Sequence, residues 1–204
     1  CYSALTPQQV LEHIEDERIS PEKMAAFVEE RLKTGHVSPL EQVHFEFGIS
    51  GVSRAFSHQF VRHRIGISFE QQSQRYVTYK DGSFPYTIPK TVERSGLSEE
   101  METLFERAGQ LYHKMIEAGI PAEDARFLLP NATNTNFKIT VNFAELLHIC
   151  DLRLCTCAQW EFRRVAALMR AEVMRLAPEA FRALYPNPYV CNSYMTKILW
   201  FYSI

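Results

Sequence analysis

The sequence predicts an α+β fold, with a largely antiparallel sheet flanked by helices, in a single domain over residues 1–204. Segments whose apolar residues recur at helical spacing outnumber segments that alternate like strands. The strand-like segments do not alternate regularly with the helical ones, which argues against a doubly wound parallel sheet. With 204 residues, of which 46% are hydrophobic, the chain is long enough to bury a core of its own.

The first third of the chain predicts two helices followed by a strand. Thr6 and Ser20 are N-cap residues, and each is followed by a proline at the first helical position. Gly35 is a typical stop for the second helix, and a further turn or helix start follows at Ser38. Apolar and polar residues then alternate over 43–49, which predicts a half-buried strand.

The middle of the chain predicts a helix, a polar loop and a connecting loop. Apolar residues return to helical spacing over 52–63, and the polar run that follows to residue 76 is predicted to be a loop held in a folded site. Glycine, two prolines and several polar residues over 80–98 indicate a connecting loop, with a short extended piece at 86–88.

A long amphipathic helix is predicted from Ser98, its N-cap, to about residue 118. Pro121 opens a short helix, and Pro130 ends it. The segment 134–141 is predicted to be extended.

Two further helices are predicted after that segment. Asn142, with Glu145 three residues later, resembles a capping box at the start of a helix. Another helix is predicted over 156–176. The apolar segment 198–202 is too short to cross a membrane and is expected to be buried.

Charge and cysteine content exclude several classes of protein. A net charge of -2 argues against a general nucleic-acid binder, so any anionic ligand must be held by a local group of arginines. The sequence shows no signal peptide and no apolar run long enough to span a bilayer. Five cysteines, loosely spaced, fit a reducing cytoplasm better than a disulfide scaffold. We therefore expect a cytoplasmic protein without membrane or nucleic-acid partners.

The densest group of polar side chains lies between Arg62 and Tyr76. Arg62 and Arg64 carry planar donor forks suited to phosphate oxygens, and His63 between them can donate or accept a hydrogen bond near neutral pH. Arginine-rich turns are often only solvated surface, but here apolar residues flank the polar run on both sides. Donors and acceptors of the kind that a pyrimidine edge requires follow at Gln71, Gln72, Ser73, Gln74 and Arg75.

This run resembles the signature of the flavin-dependent thymidylate synthases. In that family Arg-His-Arg is followed, after seven or eight residues, by a serine, and here eight residues separate Arg64 from Ser73. The Gln-Arg-Tyr continuation fits as well. This spacing is one residue longer than in many members of the family, and the additional residue is expected within 65–67.

Three further blocks extend the resemblance, in the family's order, over residues 35–161. Gly-His-x-Ser-Pro-x-Glu over 35–41 places Ser38 at a flavin-contacting position, and Ala-Arg-x-x-Leu-Pro over 125–130 places Arg126 at a position that binds deoxyuridylate (dUMP). Gln59, one helical turn before Arg62, falls beside the nucleotide. The last block, 140–161, carries Asn142, His148 and Arg153.

The resemblance implies a role for each matched residue. The flavin is expected to be held by Ser38, Arg62, His63, Arg64, Gln71, Asn142 and His148. The substrate dUMP is expected to contact Gln59, Arg62, Gln71, Gln72, Ser73, Gln74, Arg75, Arg126 and Arg153. Of these, Arg153 is the expected catalytic residue, which would activate the uracil ring. The match fails at Ala144, where some members place a flavin-contacting arginine.

The resemblance also implies an enzyme that converts dUMP to dTMP by reductive methylation. FAD is the implied cofactor, NADPH its reductant and methylenetetrahydrofolate the one-carbon donor, in a homotetramer whose sites combine several subunits. Ser73 could be considered a nucleophile, but an unactivated hydroxyl is a poor one, so a binding role is preferred.

Two other classes of protein are weighed against this one. The arginines and aromatic residues could serve a nucleotide- or RNA-binding module, although the acidic net charge opposes it. Alternatively, the chain could be a structural metal-binding or interaction protein built around the helix over 150–157, where Cys150, Cys155 and Cys157, with His148, could form a zinc site. Structural zinc sites usually have two Cys-x2-4-Cys pairs, and here a second pair is absent and His148 is the only obvious fourth ligand. No metal site is therefore predicted, and the thiols are expected to be small hydrophobic residues.

Overall fold

A computed structural model describes residues 3–176, which form a three-stranded antiparallel sheet packed against helices. The predicted α+β class is confirmed. The strands are β1 His44–Ser53, β2 Ile67–Gln71 and β3 Asn134–Asn142. The helices are α1 Pro7–Glu15, α2 Pro21–Thr34, α3 Arg54–Phe60, α4 Lys90–Ser95, α5 Ser98–Glu117, α6 Ala122–Ala125, α7 Phe143–Arg153 and α8 Trp160–Leu176. Two 3-10 helices cover Ser38–Gln42 and Arg126–Leu128.

The central strand of the sheet is β3, with β1 and β2 on either side. Val141 pairs with both Phe45 and Ile67, so the last residues of β3 meet the beginning of each edge strand. Alternate residues of β3 (Phe137, Ile139 and Val141) are buried. Their partners in the core come mainly from α3, α7 and α8: Phe56, Phe60, Leu146, Ile149, Phe162 and Val165.

Most of the predicted elements are confirmed. Thr6, Ser20 and Asn142 each cap a helix by accepting a hydrogen bond from a backbone N–H in its first turn. Gly35 ends α2 in the left-handed conformation, at a φ of 72°. The extended segment predicted over 134–141 is β3.

The prediction of a polar loop over residues 62–76 was wrong for its central part, which is β2. Ile67 and Phe69 are half-buried while Ser68 and Glu70 are exposed, so a period-two pattern exists there. Because every second residue is polar and the strand covers only five residues, that pattern is hidden within the polar run.

The connecting loop predicted over 80–98 contains a short helix, α4. Pro89 precedes it and Gly96, in the left-handed conformation, follows it. In the sequence these two residues favour a loop, but a proline and a glycine also commonly begin and end a helix.

Three predicted helix boundaries also differ. The N-cap of α5 is Leu97 rather than Ser98, and no side chain caps it. The predicted helix over 52–63 begins at Arg54, because Val52 and Ser53 still pair with β3. The last predicted helix begins at Trp160 instead of residue 156, since the Gln159 carboxamide accepts from the Phe162 N–H and so defines its start.

Of the helices described, none is both long and apolar enough to cross a bilayer. The apolar segment 198–202, expected to be buried, lies outside residues 3–176.

Candidate active site

Most of the site residues predicted from the sequence lie at the two ends of the pair formed by β2 and β3. Gly66 and Asn142 meet at one end, which we call the Asn142 end; Gln71 pairs with Phe137 at the other, which we call the Gln71 end. Because β2 has five residues, about 13 Å of strand separates the two ends.

At the Asn142 end, one asparagine connects the sheet, helix α7 and the loop before β2. The Asn142 backbone N–H donates to the Gly66 carbonyl at 2.7 Å, and its side-chain Oδ1 accepts from the Glu145 N–H at 2.8 Å. Only half of the capping box predicted here forms, since the Asn142 N–H is taken by Gly66 rather than by the Glu145 side chain.

The Arg62-His63-Arg64 triplet follows the end of α3 and divides between solvent and interior. Arg62 and Arg64 are exposed, whereas His63 is only 5% exposed. The His63 N–H donates to the Phe60 carbonyl at 3.0 Å, which fixes the turn that directs its ring inward. The two guanidinium groups therefore face outward on either side of a buried imidazole.

His63 joins two charged side chains that are distant in the sequence. Its Nδ1 lies 2.7 Å from Oε1 of Glu145, and its Nε2 lies 3.1 Å from Nε of Arg153. Arginine nitrogens only donate hydrogen bonds, so Nε2 of His63 must be the acceptor from Arg153. The proton of the neutral ring is therefore on Nδ1, and the Glu145 carboxylate accepts the hydrogen bond from that N–H. The hydrogen-bonding requirement of Arg153 thus determines the tautomer of His63.

Burial governs the protonation of this group. It lowers the pKa of His63 to about 4, and the neighbouring Arg153 and His148 lower that pKa further, so the imidazole is neutral at neutral pH. Burial raises the pKa of the Glu145 carboxyl and lowers that of the Arg153 guanidinium. The Arg153 guanidinium carbon also lies 4.6 Å from the centre of the Phe162 ring, within cation–π range.

His148 is exposed, and its ring lies edge-on to His63 with 5.8 Å between the ring centres. Ligand atoms of His63, Glu145 and His148 lie within 4.8 Å of one another, a spacing that a metal ion could use. A cation there would compete with the hydrogen bonds of His63 and would lie beside the Arg153 guanidinium.

The cysteines considered for a zinc site are held in different environments. Cys150 and Cys155 are buried, whereas Cys157 is exposed. Burial raises the pKa of the Cys150 thiol to about 12, so this thiol remains protonated at neutral pH. In the part of the chain that the structure describes, these thiols do not belong to any group of three metal-ligating side chains.

Three other positions compared with the family lie on the first 3-10 helix, on α3 and on α7. Ser38 begins the 3-10 helix that packs against α7, and it is exposed. Gln59 is half-buried in the last turn of α3, and Ala144 is half-buried against the core.

At the Gln71 end, side-chain amides attach the polar run to β3. The Gln71 carboxamide donates to Thr135 Oγ1 at 3.2 Å. Gln72 bonds Asn136 twice, since its N–H donates to the Asn136 carbonyl at 2.9 Å and its Oε1 accepts from the Asn136 amide at 2.7 Å. Ser73 then accepts from the Arg75 N–H at 3.2 Å, which forms a tight turn.

Arg75 and Arg126, which are 51 positions apart in the sequence, meet at Glu123. Arg75 forms a 2.7 Å ion pair with the Glu123 carboxylate, and Nε of Arg126 donates to the Glu123 carbonyl at 3.0 Å. The structure thus brings together two of the four arginines that the sequence assigned to dUMP.

A third arginine, Arg54, was missed by the sequence analysis. Its guanidinium lies 3.4 Å from the Oε1 of Gln74, a buried residue, and burial together with the nearby Arg126 lowers its pKa. Arg54 is the first residue of α3. A cation is unfavourable at a helix N-terminus, and that position was the signal that could have identified it.

Glu145 was also missed as a member of the site. The sequence analysis gave it only a capping role, whereas its carboxylate is buried and bonded to His63. A carboxylate in the first turn of a helix is typical of capping, so nothing in the local sequence pointed to a partner 82 positions away.

Comparisons with known proteins show the family of the chain. The family model described as "Thymidylate synthase complementing protein" matches residues 1–179. A protein of Geobacter sulfurreducens named flavin-dependent thymidylate synthase is 45% identical over 175 residues, which cover 84% of this chain and 74% of that protein. Proteins of the same name from Nitratidesulfovibrio vulgaris and Sulfolobus acidocaldarius are 41% identical over 191 residues and 34% identical over 182 residues. Each alignment covers 89% of this chain, with 76% and 69% of the respective relative.

Arginines lie at both ends of the pair formed by β2 and β3, and guanidinium groups suit the binding of phosphate oxygens. The chain belongs to the family of the flavin-dependent thymidylate synthases.

Proposed function

We propose that this protein catalyses the reductive methylation of dUMP to dTMP, with FAD as cofactor, NADPH as reductant and methylenetetrahydrofolate as one-carbon donor. The hydrogen bond between Arg153 and His63 is the main support for this proposal, because it brings together residues from two of the matched sequence blocks. A guanidinium held beside the Arg62–Arg64 turn can act on a pyrimidine while that turn holds a cofactor.

The Asn142 end fits a flavin nucleotide. Arg62 and Arg64 offer exposed donor forks there, beside the N-terminus of the 11-residue helix α7, where the helix dipole favours anions. Gly66 leaves open the space in which a Cβ would meet the Asn142 carboxamide. FAD would be held here by Ser38, Arg62, His63, Arg64, Asn142 and His148, and Gln71 would reach it from the Gln71 end of a neighbouring subunit.

The Gln71 end fits the phosphate and base of dUMP. Arg75 and Arg126 would bind the phosphate, and Arg54 adds a third guanidinium to their group. The turn over residues 72–74 and the Gln59 carboxamide would hydrogen-bond the pyrimidine and sugar, through Gln59, Gln72, Ser73 and Gln74. Arg62 and Gln71 would lie between the two ligands.

The chemistry required of the protein is the stabilisation of negative charge on the uracil ring. FAD, when bound, supplies the redox step that the protein's own side chains lack. The Arg153 guanidinium, facing the O4 and N3 region, would favour the electron-rich ring whose C5 attacks the one-carbon unit. A cysteine nucleophile is not needed in this scheme, and the Cys150 thiol, with a pKa of about 12, is unsuited to that role.

The separation of the two ends supports an assembled site. Arg153 lies at the Asn142 end and Arg75 at the Gln71 end, with the length of β2 between them. A homotetramer of single-domain subunits can bring the Asn142 end of one subunit to the Gln71 end of another. We place this enzyme in the cytoplasm, without membrane or nucleic-acid partners.

The proposal is tested by reconstituting the purified protein with FAD and following NADPH oxidation and dTMP formation. We expect a yellow protein that oxidises NADPH faster when dUMP is present and forms dTMP only when methylenetetrahydrofolate is added. Protein that stays colourless after incubation with FAD, or flavoprotein that forms no dTMP, would contradict the proposal. Sedimentation of the same sample measures its oligomeric state.

A further inference from the structure

We propose that Glu145, acting through His63, positions the Arg153 guanidinium so that its two terminal nitrogens face the substrate. The inference rests on the proposed role of Arg153 and adds Glu145 as a positioning residue for it. The structure shows a continuous path from the Glu145 carboxylate through both ring nitrogens of His63 to Nε of Arg153, with contacts of 2.7 Å and 3.1 Å.

The directions of the two hydrogen bonds depend on each other. Nε of Arg153 can only donate, so Nε2 of His63 must carry a lone pair. The proton of the neutral ring is then on Nδ1, where it needs an acceptor, and the Glu145 carboxylate is that acceptor. If the ring carried its proton on Nε2 instead, two N–H groups would face each other and Arg153 would lose its contact.

The same contacts determine which part of Arg153 is left for a ligand. Within residues 3–176, Nε is the one guanidinium nitrogen of Arg153 that is hydrogen-bonded to protein. The Phe162 ring lies against the guanidinium plane, with 4.6 Å from the guanidinium carbon to the ring centre. The protein therefore contacts one edge and one face of the Arg153 guanidinium. The edge that carries both terminal nitrogens remains available for two parallel hydrogen bonds to a planar ligand.

Positioning of this kind matters because arginine is long and flexible. A side chain with several rotatable bonds loses much conformational entropy when it is fixed. The reaction is faster when the protein has already fixed the side chain before the substrate binds. Glu145 suits this task because it is buried in the first turn of α7, where Asn142 fixes its backbone N–H. His148 and Arg153 are the other charged or titratable groups that face His63.

Steady-state kinetics of Glu145 variants in the FAD-loaded enzyme give the first test. Glu145→Leu removes the acceptor and should lower kcat/KM for dUMP about tenfold, whereas Glu145→Gln keeps an acceptor oxygen and should lower it no more than about threefold. In an Arg153→Ala background, Glu145→Leu should have no further effect, since there is nothing left to position. A tenfold loss that persists in that background would overturn the proposal.

Glu161→Gln is the matched control for the loss of a buried carboxylate. Glu161 is 6% exposed and accepts from the backbone N–H of Ser53, and it makes no contact with Arg153 among the described hydrogen bonds. Its effect on kcat/KM should be the same with and without Arg153. A merely structural role for Glu145 would make the Glu145 variants behave in the same additive way.

Nuclear magnetic resonance of the protein without substrates gives a readout independent of activity. The nitrogen shifts of His63 should show a protonated Nδ1 and an unprotonated Nε2 in the unmodified enzyme, and the Arg153 Nε–H should exchange slowly with water. Glu145→Leu should accelerate that exchange about tenfold or more. A proton on Nε2 in the unmodified enzyme would overturn the inference even if Glu145→Leu failed to fold. Full methyl transfer by Arg153→Ala would instead overturn the proposed role of Arg153, with the tautomer and the exchange rate still reporting on the positioning.

Discussion

Gly66 and Asn142 are in contact through both backbone and side chain. The Asn142 N–H donates to the Gly66 carbonyl at 2.7 Å, and a Cβ built on Gly66 would lie 2.5 Å from the Asn142 amide nitrogen. Gly66 also has a φ of 73°, in the left-handed region. The residue after the Arg-His-Arg-Ile run must therefore be small for the loop to lie against the start of α7.

Gly66→Ala is expected to lower both stability and flavin content. The left-handed backbone alone costs about 1 kcal/mol for alanine, and the clash with the Asn142 carboxamide brings the expected total to about 2–4 kcal/mol. Gly96→Ala is the matched control, because Gly96 has a φ of 77° and nothing within 4 Å of its Cβ position. Chemical denaturation and the flavin absorbance of both variants measure the effect; equal losses in the two would show that the contact with Asn142 does not matter.

The cysteines are expected to affect stability but not chemistry. Cys150→Ser places an unpaired hydroxyl in the core and should reduce the free energy of unfolding by about 1–3 kcal/mol. Cys157→Ser, at an exposed position, should change it by less than about 0.5 kcal/mol. Both variants, and Cys155→Ser, should retain methyl transfer per folded, flavin-loaded subunit. Loss of methyl transfer with fold and flavin intact would show that the mechanism uses a thiol.

His63 is expected to make the protein less stable as the pH falls below 6.5. Its pKa is about 4 in the folded protein and near 6.5 in the unfolded chain, so between these values the unfolded state binds more protons. The free energy of unfolding then falls as the pH is lowered from 6.5 to 4, by at most about 1.4 kcal/mol per pH unit. Glu145 acts in the opposite direction. Because its pKa is raised in the folded protein, it adds to the free energy of unfolding at low pH, and this contribution is lost as the pH rises.

Urea denaturation of the unmodified protein and of His63→Gln across this range measures the difference. The variant should show a shallower loss of stability between pH 6.5 and pH 4. Curves of identical slope would mean that folding does not lower the pKa of His63.

Arg54 is expected to contribute to dUMP affinity. If it belongs to the phosphate-binding group with Arg75 and Arg126, Arg54→Gln should raise KM for dUMP about tenfold and change kcat less. Arg18→Gln is the control, since Arg18 forms an exposed ion pair with Asp16 on the surface. An Arg54 variant whose KM matches that of the control would exclude Arg54 from the substrate site.

The features that the sequence predicted correctly are those that depend on local patterns. Capping residues such as Ser20 and Asn142 satisfy backbone groups within a few positions, so their effect is visible in a short segment. The polar run to Arg75 was recognised in the same way. Strand β2 was missed because its alternation covers only five residues within that run, and strand pairing with β3 decides its conformation.

The connections across the sheet could not be predicted from local patterns. Glu145 reaches His63, and Arg153 reaches the same ring from the other end of α7. Arg75 and Arg126 meet only because α6 carries Glu123 between them. Such contacts follow from the packing of distant elements, which the hydrophobic pattern specifies only in general terms.

Arg153 is expected to act on the uracil, and Arg62 on the cofactor. Arg153→Ala should reduce methyl transfer about a hundredfold, which corresponds to about 3 kcal/mol of lost charge stabilisation, while FAD content stays close to that of the unmodified enzyme. Arg153→Lys should recover only part of the activity, because an ammonium group has neither the planar fork nor the Nε–H that contacts His63. Arg62→Ala should lose FAD and every activity together.

A paired assay of flavin content and dTMP formation on the three variants tests this claim most directly. The account predicts that Arg153→Ala retains FAD but forms dTMP at about one hundredth of the normal rate, and that Arg62→Ala loses both. Full methyl transfer by Arg153→Ala would contradict the account and would assign activation of the uracil to another group.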